Sequence, residues 1–428
     1  MWLLQAAVLL LLVGATSASA SPIDDAKAAI ANGDLDAAQE ILAPILATKP
    51  DDLDAQFLNA TIATLQERWS DAIVLYRRIL DQHPDLLRVR LDYARALFED
   101  HQDEEADYNF RLALPNVPET VAGNIYTFLN QIDARKRFTY SLSVAGGYDT
   151  NINAASSLNQ LTLFGLNFIL EPGAQQKSGV GVIITGGGEY RYPLTGQLSD
   201  MRVRGGGALY RAEYFGAHGK YDDMVARIYA GPQYIFAKGN ASLLAVATER
   251  WYGNDPYNWA YGPRAEVNVT IGEHVLMQAG IEYTPDWYHM QTFQDGHLLT
   301  GIVTTNYVIS PSSYVALITG ISKEHDASPD FSNITYRIGV GYQRELPMGV
   351  TAYVEPDLLL ADYTDPSPTF ETTRRDRLVR LQLTLSKRDW RLAGFVPSLS
   401  YNYTQDISNQ DLFSYKRHQF LFGFTKAF

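Results

Sequence analysis

Asp149, Asn151 and Asn153 stand at alternate positions in GGYDTNINAAS, residues 146–156. Short oxygen-bearing side chains at that spacing are what an EF-hand calcium loop presents, with glycine at its sixth position and an acid at its twelfth. Here those positions hold Ala154 and Gln160, so the calcium reading fails. What remains is an Asx-rich turn, whose side chains bond nearby backbone N–H groups. Other chemistry is sparse. The chain has no H-E-x-x-H, no G-x-S-x-G and no Walker loop. Its 8 histidines are scattered, and Glu324-His325-Asp326 reads as a solvated loop between strands. The absence of cysteine excludes disulfides, thiol catalysis and Cys-ligated metals. Gly186–Gly188 and Gly205–Gly207 follow no phosphate-loop spacing and lie inside strand patterns. No catalytic, metal or cofactor-binding residue is assigned, and neither an enzyme nor a cofactor is expected. A barrel phospholipase with a Ser–His pair on its outer wall finds support in no segment.

The elements around this stretch divide at residue 137. Before it, three registers repeat at 34 residues: Ala38, Ala72 and Ala106; Leu42, Tyr76 and Phe110; Pro50, Pro84 and Pro118. Small, bulky and proline positions at that period are the tetratricopeptide signature. The alanines let two antiparallel helices approach, the bulky residue fills the same inner face, and proline ends the second helix. The repeats are expected near 23–50, 51–84 and 85–118, with a capping helix over 119–134 whose stripe is Val121, Ile125, Phe128, Leu129 and Ile132.

After residue 137 the composition changes. All of the 32 glycines except Gly14, Gly33 and Gly123 lie there, and all of the 27 tyrosines except Tyr76, Tyr93, Tyr108 and Tyr126. The pattern becomes period two: Ile334, Tyr336, Ile338, Val340 and Tyr342 alternate with polar or small residues, as do Val379, Leu381, Leu383 and Leu385. About fourteen such segments run from 138–148 to 414–428, with connections that tend to alternate short and long. Their length and their aromatic ends suit an antiparallel transmembrane barrel with apolar residues outward. Inward candidates are Arg202, Arg204, Arg227, Arg337, Arg380, Glu189, Glu266 and Glu282. The last strand places Phe420, Phe422, Phe424 and Phe428 on one face, the pattern read by the barrel-insertion machinery, although Lys426 departs from it. The segment LTLFGLNFIL, 161–170, is apolar for an exposed loop and is expected to fold inward or across the mouth.

Residues 1–20 read as a signal peptide cleaved after Ala20, with an uncleaved anchor as the alternative. The expected organisation is therefore 1–20 signal peptide, 21–136 periplasmic all-α repeat solenoid and 137–428 outer-membrane β-barrel of about 14 strands. The formal net charge is −13, and residues 21–137 hold 12 Lys and Arg against 21 Asp and Glu. That balance argues against nucleic acid as a partner.

A signal peptide, 34-residue repeats, LRVRLDYARALFED at 87–100, NIYTFLNQIDARKRF at 124–138 and then GGYDTNINAAS leading into a barrel resemble the surface lipoprotein assembly modulator (Slam) proteins. The resemblance spans the mature chain. It is carried most specifically by Arg90, Ala94, Leu97 and Phe98 and by Tyr148, Asp149, Asn151, Ile152 and Asn153. It implies an outer-membrane translocator for surface lipoproteins or small secreted clients, with the repeats engaging a client or a periplasmic chaperone. The barrel assembly machinery and outer-membrane lipid are the other expected partners. A passive porin or uptake channel with an accessory repeat domain is the alternative reading, and an adaptor anchored by its barrel is a third.

Overall fold

The structure is a computed structural model that describes residues 21–135, 137–163, 166–216 and 219–427. The expected signal peptide, residues 1–20, and Phe428 lie outside the described residues. Helices come first: α1 (Pro22–Ala31), α2 (Leu35–Thr48), α3 (Leu53–Leu65), α4 (Trp69–Gln82), α5 (Leu87–Glu99), α6 (Asp103–Ala113) and α7 (Glu119–Arg135). Asp34 and Asp52 cap α2 and α3, accepting from the backbone N–H of Ala37 and Ala55 at 3.2 and 3.0 Å. The period of 34 extends to backbone conformation. Gly33, Glu67 and His101 all adopt positive φ, at 78°, 56° and 61°. After each, a backbone N–H reaches back five residues: Asp34 to Ala29, Arg68 to Ala63 and Gln102 to Leu97. This is the Schellman closure of the first helix in each repeat.

The chain divides into two compact units, with the boundary between Leu75 and Tyr76. In the first, Ala26, Ala38, Leu42, Ala55, Leu58 and Ile62 form the core. In the second, Ala94, Leu97, Phe98, Ala106 and Phe110 are buried, and Phe128 of α7 stacks on Phe110 and meets Phe98 edge-on. Pro50 and Pro84 follow α2 and α4, while Pro118 precedes α7.

The second unit holds a closed antiparallel barrel of fourteen strands, as the alternation predicts. They are β1 (Phe138–Asp149), β4 (Gly179–Pro193), β5 (Met201–Tyr214), β6 (Asp223–Phe236), β7 (Gly239–Tyr252), β8 (Asp255–Ile271), β9 (Val275–Tyr288), β10 (Gly296–Ser310), β11 (Ser313–Asp326), β12 (Asn333–Leu346), β13 (Val350–Pro366), β14 (Thr373–Lys387), β15 (Val396–Ser408) and β16 (Tyr415–Ala427), with β1 paired to β16. Closure leaves no open edge, which hydrocarbon demands because unpaired backbone groups there have no water. Exposed apolar side chains alternate along the outer wall, among them Tyr336, Ile338 and Val340 on β12 and Phe420, Phe422 and Phe424 on β16. Inward positions are often small where strands or side chains crowd. A Cβ on Gly147 would stand 1.9 Å from the carbonyl oxygen of Phe420, and one on Gly206 would stand 2.7 Å from the Tyr229 hydroxyl.

One expectation is corrected. Strand β11 runs on to Asp326, so Glu324, His325 and Asp326 are strand residues paired with β10 rather than a loop. Within the segment 161–170, exposure is mixed along the described side chains. The segment forms a two-stranded hairpin, β2 (Gln160–Leu163) with β3 (Leu166–Ile169), in which Leu161 is buried but Leu166, Phe168 and Ile169 are exposed. The apolar place at that end of the barrel is held by Ile152, packed on Ala212, Tyr214 and Tyr221.

Candidate functional site: the two mouths of the barrel

One mouth lies where β1 begins and β16 ends, and is called near here. The other carries the long connection 150–178 and is called far. Helices α5–α7 belong to the same compact unit as the barrel and seat on the near mouth. Arg90 of α5 is 1% exposed and donates to Asn109, to the Pro84 carbonyl at 2.9 Å and to Glu345 at 2.6 Å. Glu345, at the end of β12, is also buried and accepts from the Tyr108 hydroxyl at 2.9 Å, which itself accepts from Gln343 at 2.8 Å. Arg391, in the β14–β15 connection, grips Glu105 of α6 through two bonds of 3.0 and 2.7 Å. Tyr93 also donates to Glu105, at 2.6 Å. Burial pushes the Glu105 carboxyl up, but Arg391, Arg77 and the Tyr93 hydroxyl outweigh it and hold it below the ordinary carboxylate range.

Helix α7 closes the other side of the seat. Asp133 pairs with Arg202 of β5 at 2.8 Å and more loosely with Arg191 of β4 at 3.9 Å. The Tyr126 hydroxyl donates to the Gly272 carbonyl at 3.3 Å. Arg135, the last residue of α7, is bound to Asp103 at 2.8 Å, and its guanidinium stands 4.0 Å over the Phe98 ring. Between α6–α7 and the inner wall of β4–β10 lies a cavity of about 760 Å³, lined by Arg111, Asp133, Arg202, Asn268, Ile302 and others. Its lining mixes charged and apolar side chains.

Above this vestibule the inward charges neutralise one another. Arg191 pairs with Glu189 and Glu189 with Arg204; Arg204 pairs with Glu266, Glu266 with Arg264, Arg264 with Glu282 and Glu282 with Arg227. On the opposite wall Arg337 and Arg380 share Asp357. Seven of the eight inward candidates read from the sequence take part in these two sets, and the eighth, Arg202, pairs with Asp133 of α7. Among the described residues no group of His, Asp and Glu has metal-site geometry. His325 stacks near His297, with ring centroids 5.1 Å apart, while Glu324 accepts from Asn333 at 2.8 Å.

At the far mouth Asp149 is 3% exposed and gathers donors from two other strands and its own turn. Arg417 binds it through Nε at 2.9 Å and Nη2 at 2.5 Å, Gln419 at 2.9 Å, the Tyr214 hydroxyl at 3.2 Å and the Asn151 backbone N–H at 2.8 Å. Asn151, fully buried, donates to the carbonyls of Ala155 and Lys416 and accepts from the Ala155 N–H. Asn153 bridges to the returning strand, donating to the Gln175 carbonyl and accepting from the Lys177 N–H at 2.9 Å each. Ile152 is thereby set into the mouth beside a second cavity of about 370 Å³, lined also by Tyr210, Tyr252 and Arg417. Tyr148 points outward, at 43% exposure.

Of the residues singled out in the sequence, Asp149, Asn151, Ile152 and Asn153 come together at the far mouth, and Arg90 reaches the near one. Ala94, Leu97 and Phe98 stay in the helix core. Sequence reasoning missed Glu345, Tyr108, Asp133, Arg391 and Arg417. For Glu345 and Arg417 a signal existed: each is a charge on the inward parity at a strand end, where a barrel has no lipid to face.

Residues 138–428 match the family described as surface lipoprotein assembly modifier, and residues 25–110 match its N-terminal TPR repeats. A surface lipoprotein assembly modifier of Pasteurella multocida is 21% identical over 414 residues, covering 91% of this chain and 79% of that protein. Surface lipoprotein assembly modifier 1 of Neisseria meningitidis serogroup B is 22% identical, covering 88% and 76%. The hemophilin secretion modulator of Acinetobacter baumannii is 22% identical, covering 87% and 78%.

Proposed function

The chain belongs to the surface lipoprotein assembly modifier family, and we propose that it moves surface lipoproteins or small secreted client proteins across the outer membrane. The observation that carries this reading is the seat of α5–α7 on the near mouth, centred on the buried Arg90–Glu345 pair, with a cavity of about 760 Å³ of mixed polarity between α6–α7 and the barrel wall. In this reading the near mouth faces the periplasm, where short turns and chain ends of such barrels lie. The leader is removed after Ala20, the barrel assembly machinery inserts the barrel, and the repeats receive a client or its chaperone. The helices hand the client to the vestibule, and no catalytic step is involved.

A passive porin would be lined at its constriction by charges left free to select ions. Here Arg204, Glu189, Glu266 and their neighbours are spent on one another. Cells with and without the protein should differ in protease-accessible, palmitate-labelled surface protein, while the purified barrel in a planar bilayer should show little steady conductance. Unchanged surface label together with a steady open channel would favour the porin.

A further inference from the structure

We infer that the β1–β16 seam opens sideways into the bilayer, and that the acyl chains of a lipoprotein client pass along it while its polypeptide occupies the lumen. The inference rests on the translocator reading above. An acylated polypeptide presents two incompatible ends to this barrel. Its peptide suits the polar lumen, but its acyl chains would have to cross the Arg191–Glu189–Arg204–Glu266–Arg264–Glu282 lattice away from hydrocarbon. Staying in the bilayer avoids that cost, provided the wall parts where the two ends of the client are joined.

One boundary in the wall has no connecting segment. Every other pair of neighbouring strands is joined by a connection, whereas β1 and β16 are held by strand pairing and side-chain bonds. Midway, three successive pairs each contain a glycine: Ala145 with Gly423, Gly146 with Phe422 and Gly147 with Leu421. Cross-strand side-chain contact, the unit that stabilises a sheet, is thin there. The strong contacts are gathered at the far end, where Arg417 and Gln419 hold Asp149, Asn151 holds the Lys416 carbonyl, and Thr150 and His418 exchange two bonds. Such a seam opens first at the near mouth and leaves the Asp149 clasp to break last, for discharge. Its outer face, with Leu142, Val144, Phe420 and Phe422 exposed, is already apolar.

The native chain has no cysteine, so a disulfide lock tests this directly. The hydroxyls of Ser143 and Thr425 meet across the seam at 2.9 Å, and those of Thr384 and Ser400 meet across β14–β15 at 3.1 Å. Ser143→Cys with Thr425→Cys should therefore lock the seam, and Thr384→Cys with Ser400→Cys should lock an ordinary pair as control. Protease-accessible palmitate-labelled protein is measured in whole cells before and after dithiothreitol, with locking verified by thiol alkylation. The seam lock should abolish the surface label, reductant should restore it, and the control lock should leave it at the wild-type level. Full surface label from a completely locked seam would overturn the inference, as would equal loss from the control lock. Both outcomes leave the translocator reading standing. If wild-type and deletion cells carry the same label, that reading fails and the seam route fails with it.

Discussion

Replacing Arg90 with methionine should loosen the near mouth more than any exposed ion pair there would. The side chain is 1% exposed and its partner Glu345 is buried, so the substitution strands a carboxylate rather than merely deleting an attraction. Removing one member of a buried pair costs about 3–5 kcal/mol. Two features place the expected value at the lower end. The Arg90 Nε already lacks a partner, so the guanidinium is incompletely satisfied as it stands. Arg388 stands 4.0 Å from Glu345, and Tyr108 continues to donate to it. Methionine keeps the aliphatic stem, so packing loss is small. A cost of about 3 kcal/mol corresponds to roughly a hundredfold faster amide exchange wherever opening is local. Hydrogen exchange in detergent micelles should show that acceleration in α5 and α6 while the barrel strands stay protected. Arg90→Met with Glu345→Leu should recover most of it, because an apolar pair of similar volume carries no stranded charge. Exchange in α5 and α6 within about 0.5 kcal/mol of wild type in the single variant would refute the claim that this pair fastens helix to barrel.

Acid should act on the same seat through Glu105. Its folded pKa lies below the ordinary value of 4.5, so its contribution is complete above that pH and is lost as pH falls through the folded value; exchange in α6 should rise only below about 4.5, and Glu105→Gln should remove that dependence. His101→Gly should stabilise the helical segment by about 0.5 kcal/mol in thermal melts, since a left-handed non-glycine residue is strained while glycine raises the entropy of the unfolded chain. Gly147→Val should leave most of the chain unable to close its barrel, read as loss of the heat-modifiable folded band on gels, because its Cβ would stand 1.9 Å from the Phe420 carbonyl oxygen. Asn151→Ala with Asn153→Ala should allow insertion but raise protease cutting between 150 and 178, since five side-chain bonds, to the carbonyls of Ala155, Lys416 and Gln175 and from the N–H groups of Ala155 and Lys177, are lost.

The barrel was legible because its signal is repeated in nearly every strand: Tyr336, Ile338 and Val340 point to lipid and Arg337 to the lumen for one and the same reason, period two against two solvents. The repeats were legible in side chains but not in backbone. Glu67 and His101 occupy the left-handed position that Gly33 takes in the first repeat, and a sequence in which two of three such sites lack glycine hides it. Asn151 could be read as a turn residue but not as part of a clasp, because its partner carbonyl at Lys416 is 265 residues away and nothing local foretells closure. The hairpin 160–169 was not legible as two strands, because its apolar residues Leu161 and Phe168, one buried and one exposed, look alike in composition.

The two mouths are closed on different physical plans, and the difference follows from what each must hold. The near closure spreads over three helices: Arg90–Glu345 from α5, Glu105–Arg391 from α6 and Asp133–Arg202 from α7. Only the first is deeply buried; Asp133 is 39% exposed, so its pair is screened and weak. Release there can proceed helix by helix, as a seat for successive segments of a passing chain requires. The far closure concentrates donors from β5, β16 and the 150–157 turn on the single carboxylate of Asp149. Bonds sharing one acceptor in a buried site reinforce one another and fail together. In the translocator reading proposed above, the mouth facing the cell exterior is thus held by a closure with few intermediate states, and the mouth receiving the client by one with several.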